Sequence, residues 1–203
     1  PKCIIENLIG NGVEDLGSVL HVRSFLDHNR HFNPIEDARA RGGFEGIKFQ
    51  SIAISPSGNL IPQHQILNNL VEHLTAWRPL LEGHGLLSLE CHAQNLKVKR
   101  EFFDIAEGLH FDLLHAFSLQ YLIEPEYYLM AAAQAGLFSD LLFRCYPKGF
   151  PYTRITLTHL CNSNARMRYI SVQETDLLDS IHQGCTVEKK DILFAKAFSL
   201  WHD

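Results

Sequence analysis

The chain has 203 residues, of which 46% are hydrophobic and 20% charged, as in an ordinary globular domain. Its net charge is −5 without a basic stripe, and no segment is apolar for long enough to span a bilayer, so we expect neither nucleic acid nor membrane as a partner. The five cysteines are widely spaced and form no CxxC pair, which argues against a disulfide framework or a zinc knuckle and favours a cytoplasmic location.

The first half of the chain predicts a strand, an insertion and a long helix. After a short apolar segment at helical spacing (residues 4–8), residues 17–26 form a β-rich run that predicts a buried strand. Residues 27–30 then form a polar cluster. Residues 33–60 contain several prolines and glycines, which indicates an insertion into the main fold. Apolar residues recur every three or four positions over residues 62–81 and predict the clearest helix.

The second half predicts a further strand, a helix and a closing hairpin. Residues 86–92 form a second apolar strand that ends in polar residues, whereas the polar segment after it has no clear pattern. Pro125 can open a helix that stops at Gly136. Residues 141–146 and 153–160 flank a turn and predict a hairpin. Strands separated by helices indicate a parallel sheet, and the closing pair adds an antiparallel end.

Polar clusters follow both predicted parallel strands, as Asp27-His28-Asn29-Arg30 and Glu90-Cys91-His92. Ligands of open α/β sheets bind beyond the carboxyl ends of the strands. We therefore expect the two clusters to converge at one edge of the sheet, where they would act on a single bound molecule.

Four stretches are informative together: residues 20–30 (LHVRSFLDHNR), 70–79 (LVEHLTAWRP), 85–92 (GLLSLECH) and 115–121 (HAFSLQY). They resemble the C-methyltransferase domains of modular polyketide synthases, including the metal-dependent kind found in cyanobacterial loading modules. The resemblance implies an α/β fold, the C-terminal half of a Rossmann-like class I methyltransferase sheet, mostly parallel with a terminal antiparallel hairpin.

The same resemblance divides the chain. Residues 1–160 would be the C-terminal portion of the methyltransferase domain, and residues 161–203 a C-terminal extension or linker. The glycine-rich turn that holds S-adenosylmethionine in that family, and the acidic residue for its ribose, do not occur in the sequence. We therefore expect either that half of the cofactor site lies upstream of Pro1 or that the chain does not bind the cofactor by itself.

The activity that the resemblance implies is S-adenosylmethionine-dependent methylation of the alpha carbon of a polyketide intermediate. The substrate would be an acyl group on the phosphopantetheine arm of an acyl carrier protein, and the domain would have neighbours in a larger polypeptide. A carbon between a thioester and a β-carbonyl is acidic enough for a histidine or carboxylate to deprotonate. A divalent metal, iron or manganese, would stabilise the enolate as a Lewis acid.

Three residues are the candidates for catalysis. His28 directly follows the first strand and is the first choice for base or metal ligand. Asp27 would orient His28 by a hydrogen bond or coordinate metal itself. His115 precedes the Pro125 helix, a lid-like position over the strand ends.

The remaining candidates would bind cofactor, metal or substrate. Phe25 and Leu26 are expected to border the cofactor. His92 and Gln120 would complete a metal site with His28, and Glu90 would hold His92 or a ligand. Arg30 would pair with a carboxylate or phosphopantetheine group, or form a surface salt bridge.

Two other functions remain open at this point. The missing glycine-rich turn favours a non-catalytic, degenerate methyltransferase-like module that serves as a structural or docking piece of a megasynthase, whereas the polar residues at two strand ends oppose it. A metal-dependent hydrolase rests on the histidine count alone, since the sequence contains neither HExxH nor GxSxG.

Overall fold

The computed structural model describes residues 1–34, 44, 50–148 and 153–162. The predicted extension from residue 163 onward and much of the insertion over residues 33–60 lie outside the described residues. Within the described part, no helix combines the length and the apolar character that crossing a membrane requires.

A four-stranded mixed sheet organises the described chain. Its strands are β1 (His21–Ser24), β2 (Leu86–Cys91), β3 (Phe138–Tyr146) and β4 (Ile155–Cys161). They are arranged in the order β1-β2-β4-β3, with β1 parallel to β2 and the other two pairings antiparallel. The predicted α/β fold, with parallel strands that lead to a terminal antiparallel hairpin, is confirmed.

The first strand is shorter and more exposed than predicted. A 3-10 turn (Leu16–Ser18) takes the place of its beginning, and β1 is an edge strand of the described sheet. The side of the sheet that carries Val22 is open, because this residue is 64% exposed. A parallel strand is buried only when it has neighbours and covering helices on both sides.

The described residues also form five α-helices: α1 (Lys2–Gly10), α2 (Gln63–Trp77), α3 (Leu96–Phe102), α4 (Phe111–Phe117) and α5 (Pro125–Gln134). The long predicted helix is α2, and Pro79 lies in the 3-10 turn that ends it. As predicted, Pro125 occupies the first turn of α5, and Gly136 follows the helix with a φ of +78°. The short helix α3 had no clear sequence pattern; the Asn95 side chain caps it by accepting from the Val98 N–H at 2.9 Å.

The core lies between α2 and α5. Leu67, Leu70 and Leu74 of α2 are fully buried, as are Ala131 and Ala132 of α5. Burial of each leucine contributes about 1.5 to 3 kcal/mol. The packed helix α5 also carries Tyr128, whose hydroxyl donates to Asp27 beyond the carboxyl end of β1.

Candidate functional site

His28 and Glu90 form the centre of the candidate site. Ser24, the last residue of β1, pairs with Leu89 of β2, so the segments that follow the two strands emerge at the same edge of the sheet. There, His28 Nδ1 lies 2.5 Å from Glu90 Oε1. Both side chains are buried, with 8% and 3% of their surface exposed. The predicted convergence of the two polar clusters therefore occurs, through Glu90 rather than His92.

Three donors converge on the Glu90 carboxylate. Besides His28, the backbone N–H of Asp27 donates to Oε2 at 2.8 Å, and that of Cys91 donates to Oε1 at 2.7 Å. Because an ionised carboxylate only accepts hydrogen bonds, His28 Nδ1 is the donor and carries the proton. In the neutral imidazole, Nε2 then keeps a lone pair, and no other described residue forms a hydrogen bond with it. This is the arrangement of a base oriented by a carboxylate.

The Asp27 carboxylate belongs to a separate buried network. It accepts a hydrogen bond from the Tyr128 hydroxyl at 2.7 Å, pairs with Arg23 at 3.0 Å and lies 3.1 Å from His73 Nε2. We expected the Asp27 carboxylate to accept a hydrogen bond from His28. In the structure that role belongs to Glu90, so the prediction is wrong. Asp27 instead influences His28 indirectly, since its backbone N–H holds Glu90.

This network sets the charge state of Asp27. Burial alone would raise the pKa of the carboxyl, but the hydrogen bond with His73, the charge of Arg23 and the Tyr128 hydroxyl outweigh it and lower the pKa from 3.8 to about 2. Burial, together with the negative charge of Asp27, raises the pKa of Tyr128 well above its usual value. Asp27 is therefore an anion and Tyr128 a neutral donor at physiological pH.

Arg30 fastens the loop after β1 to the core. It is only 5% exposed, so the expectation of a surface salt bridge or a phosphopantetheine contact is corrected. Its guanidinium donates to the side chain of Asn69 and to three backbone carbonyls, those of Asp27, Ile66 and Tyr121. Burial lowers the pKa of Arg30 to about 10, which leaves it charged at neutral pH. The four acceptors hold residues 27–30 in one conformation.

The His115 ring, predicted to lie over the strand ends, lies against the ring of His28. The centroids of the two rings are 5.7 Å apart and the rings meet edge to face. His115 Nδ1 donates to the Phe111 carbonyl at 2.7 Å, which leaves Nε2 as an acceptor. Gln120 contacts His115 through its backbone N–H, which donates to the His115 carbonyl at 2.8 Å. The backbone N–H of the next residue, Tyr121, donates to the His28 carbonyl at 2.7 Å.

His92 does not join the predicted metal site. Its Nδ1 lies 3.2 Å from the Ile123 carbonyl and its Nε2 lies 2.7 Å from the Thr156 hydroxyl, so both ring nitrogens are engaged. Among the described residues, no group of three or more His, Cys, Asp or Glu is arranged to hold a metal ion. The described donors therefore do not fit the iron or manganese site that was expected from His28, His92 and Gln120.

Two strained backbone positions flank the site. Phe25 and Leu119 have φ values of +56° and +58°, a region that costs a non-glycine residue about 1 to 2 kcal/mol. Phe25 precedes the loop that carries His28, and Leu119 follows the helix that carries His115. The strain is local to the turns that aim these two segments at each other, as is common at functional sites.

Three members of the site, Arg23, His73 and Tyr128, were not predicted from the sequence. The available signals were an arginine within an apolar strand, since Arg23 is 7% exposed, and a tyrosine in an alanine-rich helix, since Tyr128 is 1% exposed. Either residue is costly to bury without a partner. His73 gave no signal, because one histidine on a long helix is unremarkable by itself.

Comparison with known proteins gives one family. The model of the AprA MT2-like domain, a methyltransferase family, matches residues 1–158. No curated protein matches the chain.

Proposed function

Because the chain belongs to the AprA MT2-like family of methyltransferase domains, we propose that it catalyses S-adenosylmethionine-dependent methylation of an acidic carbon, with His28 as the base. The observation that carries this proposal is the buried pair of His28 Nδ1 and Glu90 Oε1 at 2.5 Å. It leaves one basic nitrogen at the carboxyl edge of the sheet, where ligands of such folds bind.

His28 Nε2 would take the proton from a carbon between a thioester and a β-carbonyl, which leaves a carbanion or enolate beside the base. When bound, S-adenosylmethionine would supply a methyl group on a sulfonium as the electrophile for that carbon. Glu90 stabilises the imidazolium that His28 becomes, and the two backbone N–H groups on Glu90 prevent the carboxylate from turning away. A base positioned in this way contributes about 100- to 10,000-fold to the rate.

The residues after β1 fit one part of the cofactor. Phe25 and Leu26 are 39% and 51% exposed, so they offer apolar surface at the edge of the sheet beside His28. Such surface suits the face of an adenine ring. The described residues include no glycine-rich turn after β1, since Phe25 follows the strand directly. We propose no metal-assisted step, because the donors do not fit one.

The proposed substrate is an acyl thioester on the phosphopantetheine arm of a carrier protein. Two features support it. A carbon between a thioester and a β-carbonyl has the acidity that an imidazole base requires. The helix that carries His115 also exposes apolar side chains, Phe111 at 53% and Leu114 at 55%, which suit contact with an acyl chain.

The open edge of β1 favours a second candidate, a methyltransferase-like module that is inactive by itself. β1 is the outer strand of the described sheet, and Leu20 and Val22 beside it are 49% and 64% exposed. Unpaired edge strands bind further strands readily. On this proposal, a further part of the methyltransferase sheet pairs with β1 and contributes the rest of the cofactor site.

Methyl transfer to a malonyl-type pantetheine thioester tests both candidates. The substrate is incubated with S-adenosylmethionine and either the 203-residue chain or a longer natural polypeptide that contains it, and the mass gain of one methyl group is followed. Activity of the longer polypeptide only would support the second candidate for the isolated chain. Failure of both to bind S-adenosylmethionine in calorimetry would overturn the enzymatic proposal.

His28→Gln in the active protein should lower kcat by about 100- to 10,000-fold with little change in cofactor affinity. Glu90→Gln should lower it by at least about 10-fold, because an amide no longer stabilises the imidazolium. The matched control is His31→Gln, which changes an exposed histidine of the same segment and should leave turnover unchanged. Normal turnover by His28→Gln would refute its assignment as the base.

A further inference from the structure

Residues 96–119, which we call the cap, contain α3 and α4 and contribute little apolar surface to the core. Val98, Leu109 and Ala116 are their buried apolar side chains among those that the structure describes. Many more are exposed by 37% to 75%: Leu96, Phe103, Ile105, Phe111, Leu114, Phe117 and Leu119. Hydrophobic burial therefore does little to fix the cap, and polar contacts carry more of that role.

The cap is fastened through Asp112, in the first turn of α4. Its Oδ1 accepts a hydrogen bond from the Arg154 guanidinium, and its Oδ2 lies 3.2 Å from Lys99 Nζ of α3. Only 7% of the Asp112 side chain is exposed, against 14% for Arg154 and 23% for Lys99. When a carboxylate is buried to this degree, removing its partner cation strongly destabilises the folded protein.

Arg154 is itself part of the sheet edge. Its backbone N–H donates to the Tyr146 carbonyl at 2.7 Å, and its carbonyl accepts from the His92 N–H at 2.8 Å. Its guanidinium also donates to the His92 carbonyl at 2.8 Å and to the Gly108 carbonyl at 3.1 Å. Arg154 thus joins the end of β2, the beginning of β4 and the cap through one side chain.

The contact between Asp112 and Arg154 also determines where His115 lies. Asp112 and His115 are three residues apart on α4, which places them on consecutive turns of one short helix. The His115 ring lies 5.7 Å from that of His28, so a shift of the helix changes the contact between the two rings. From this geometry we infer that Asp112 and Arg154 are positioning residues that hold the cap and His115 against the base; the inference rests on the proposed function.

Asp112→Asn and Arg154→Met should each lower kcat by about 10- to 100-fold, since a displacement of about 1 Å in a positioned group has effects of this size. Asp112→Glu should restore part of the loss, because it keeps the charge. The matched control is Arg100→Met, which removes an exposed positive charge from the cap and should leave kcat unchanged. Unchanged kcat in both Asp112→Asn and Arg154→Met would overturn the inference.

A double-mutant cycle separates positioning from a general loss of structure. If Asp112 acts through His115, Asp112→Asn should have little further effect on kcat in the His115→Ala background. A full and additive loss in that background would refute the inference. Hydrogen exchange provides a measurement that needs no turnover: amides of α4 should exchange faster in Asp112→Asn, and those of α2 should not change.

These measurements distinguish the two proposals. If the wild-type protein transfers no methyl group, the proposed function fails, and the exchange of the α4 amides still decides whether Asp112 and Arg154 hold the cap. Equal exchange in wild type and Asp112→Asn would overturn the positioning role in either case.

Discussion

The polar groups around Asp27 and Glu90 and the cap over residues 96–119 meet at His28, but they are held in different ways. On the first side, Asp27, Glu90 and Arg30 are at most 5% exposed, and each makes several hydrogen bonds or ion pairs. On the cap side, most of the large apolar residues are exposed, and the carboxylate of Asp112 provides the connection. The base is therefore positioned by several buried polar contacts, whereas the position of the cap depends on few contacts, chiefly those of Asp112.

The largest change in the free energy of unfolding is expected from a substitution of Arg30. Arg30→Met removes four hydrogen bonds from a buried region, so the free energy of unfolding should fall by about 3 kcal/mol. Urea denaturation measures it, with Arg100→Met on the exposed side of the cap as the control. A loss below about 1 kcal/mol would show that the hydrogen bonds of Arg30 do not hold the loop after β1.

Acid should remove the contribution that the ionised Asp27 makes to the free energy of unfolding. Because its pKa is lowered from 3.8 to about 2 in the folded protein, the folded state binds this proton less readily than the unfolded state. The stabilisation, about 2 kcal/mol, is present above pH 4 and is lost as the pH falls through about 2. Denaturation of wild type and Asp27→Asn from pH 6 to pH 2 measures it. An equally steep loss in Asp27→Asn would assign the acid sensitivity to other carboxylates.

The smallest effect should come from the outer surface of the cap. Phe117 is 68% exposed, so Phe117→Ser should change the free energy of unfolding by less than about 0.5 kcal/mol. Thermal or urea denaturation at neutral pH measures this difference. A loss well above 1 kcal/mol would mean that the cap packs more firmly than its exposure indicates, and would weaken the comparison.

Local patterns predicted the elements well where hydrophobic periodicity was strong. The helix over residues 62–81, the helix opened by Pro125 and the closing hairpin all occur, because their apolar spacing and turn residues act within a few positions along the chain. Residues 93–112 gave no clear pattern, because α3 is short and the residues around it expose most of their large apolar side chains.

The sequence by itself placed His28 and Glu90 at the ends of two adjacent strands and carried the likeness to methyltransferases that the family match confirms. Only the tertiary structure decided their partners. The parallel register of β1 and β2 brings the loop after Ser24 to Glu90, while β4 covers His92 with Thr156. Likewise, the acceptors that bury Arg30 come from α2 and from residue 121, far away in the chain. Hydrogen-bond partners depend on distances across the fold, and the order of residues does not contain those distances.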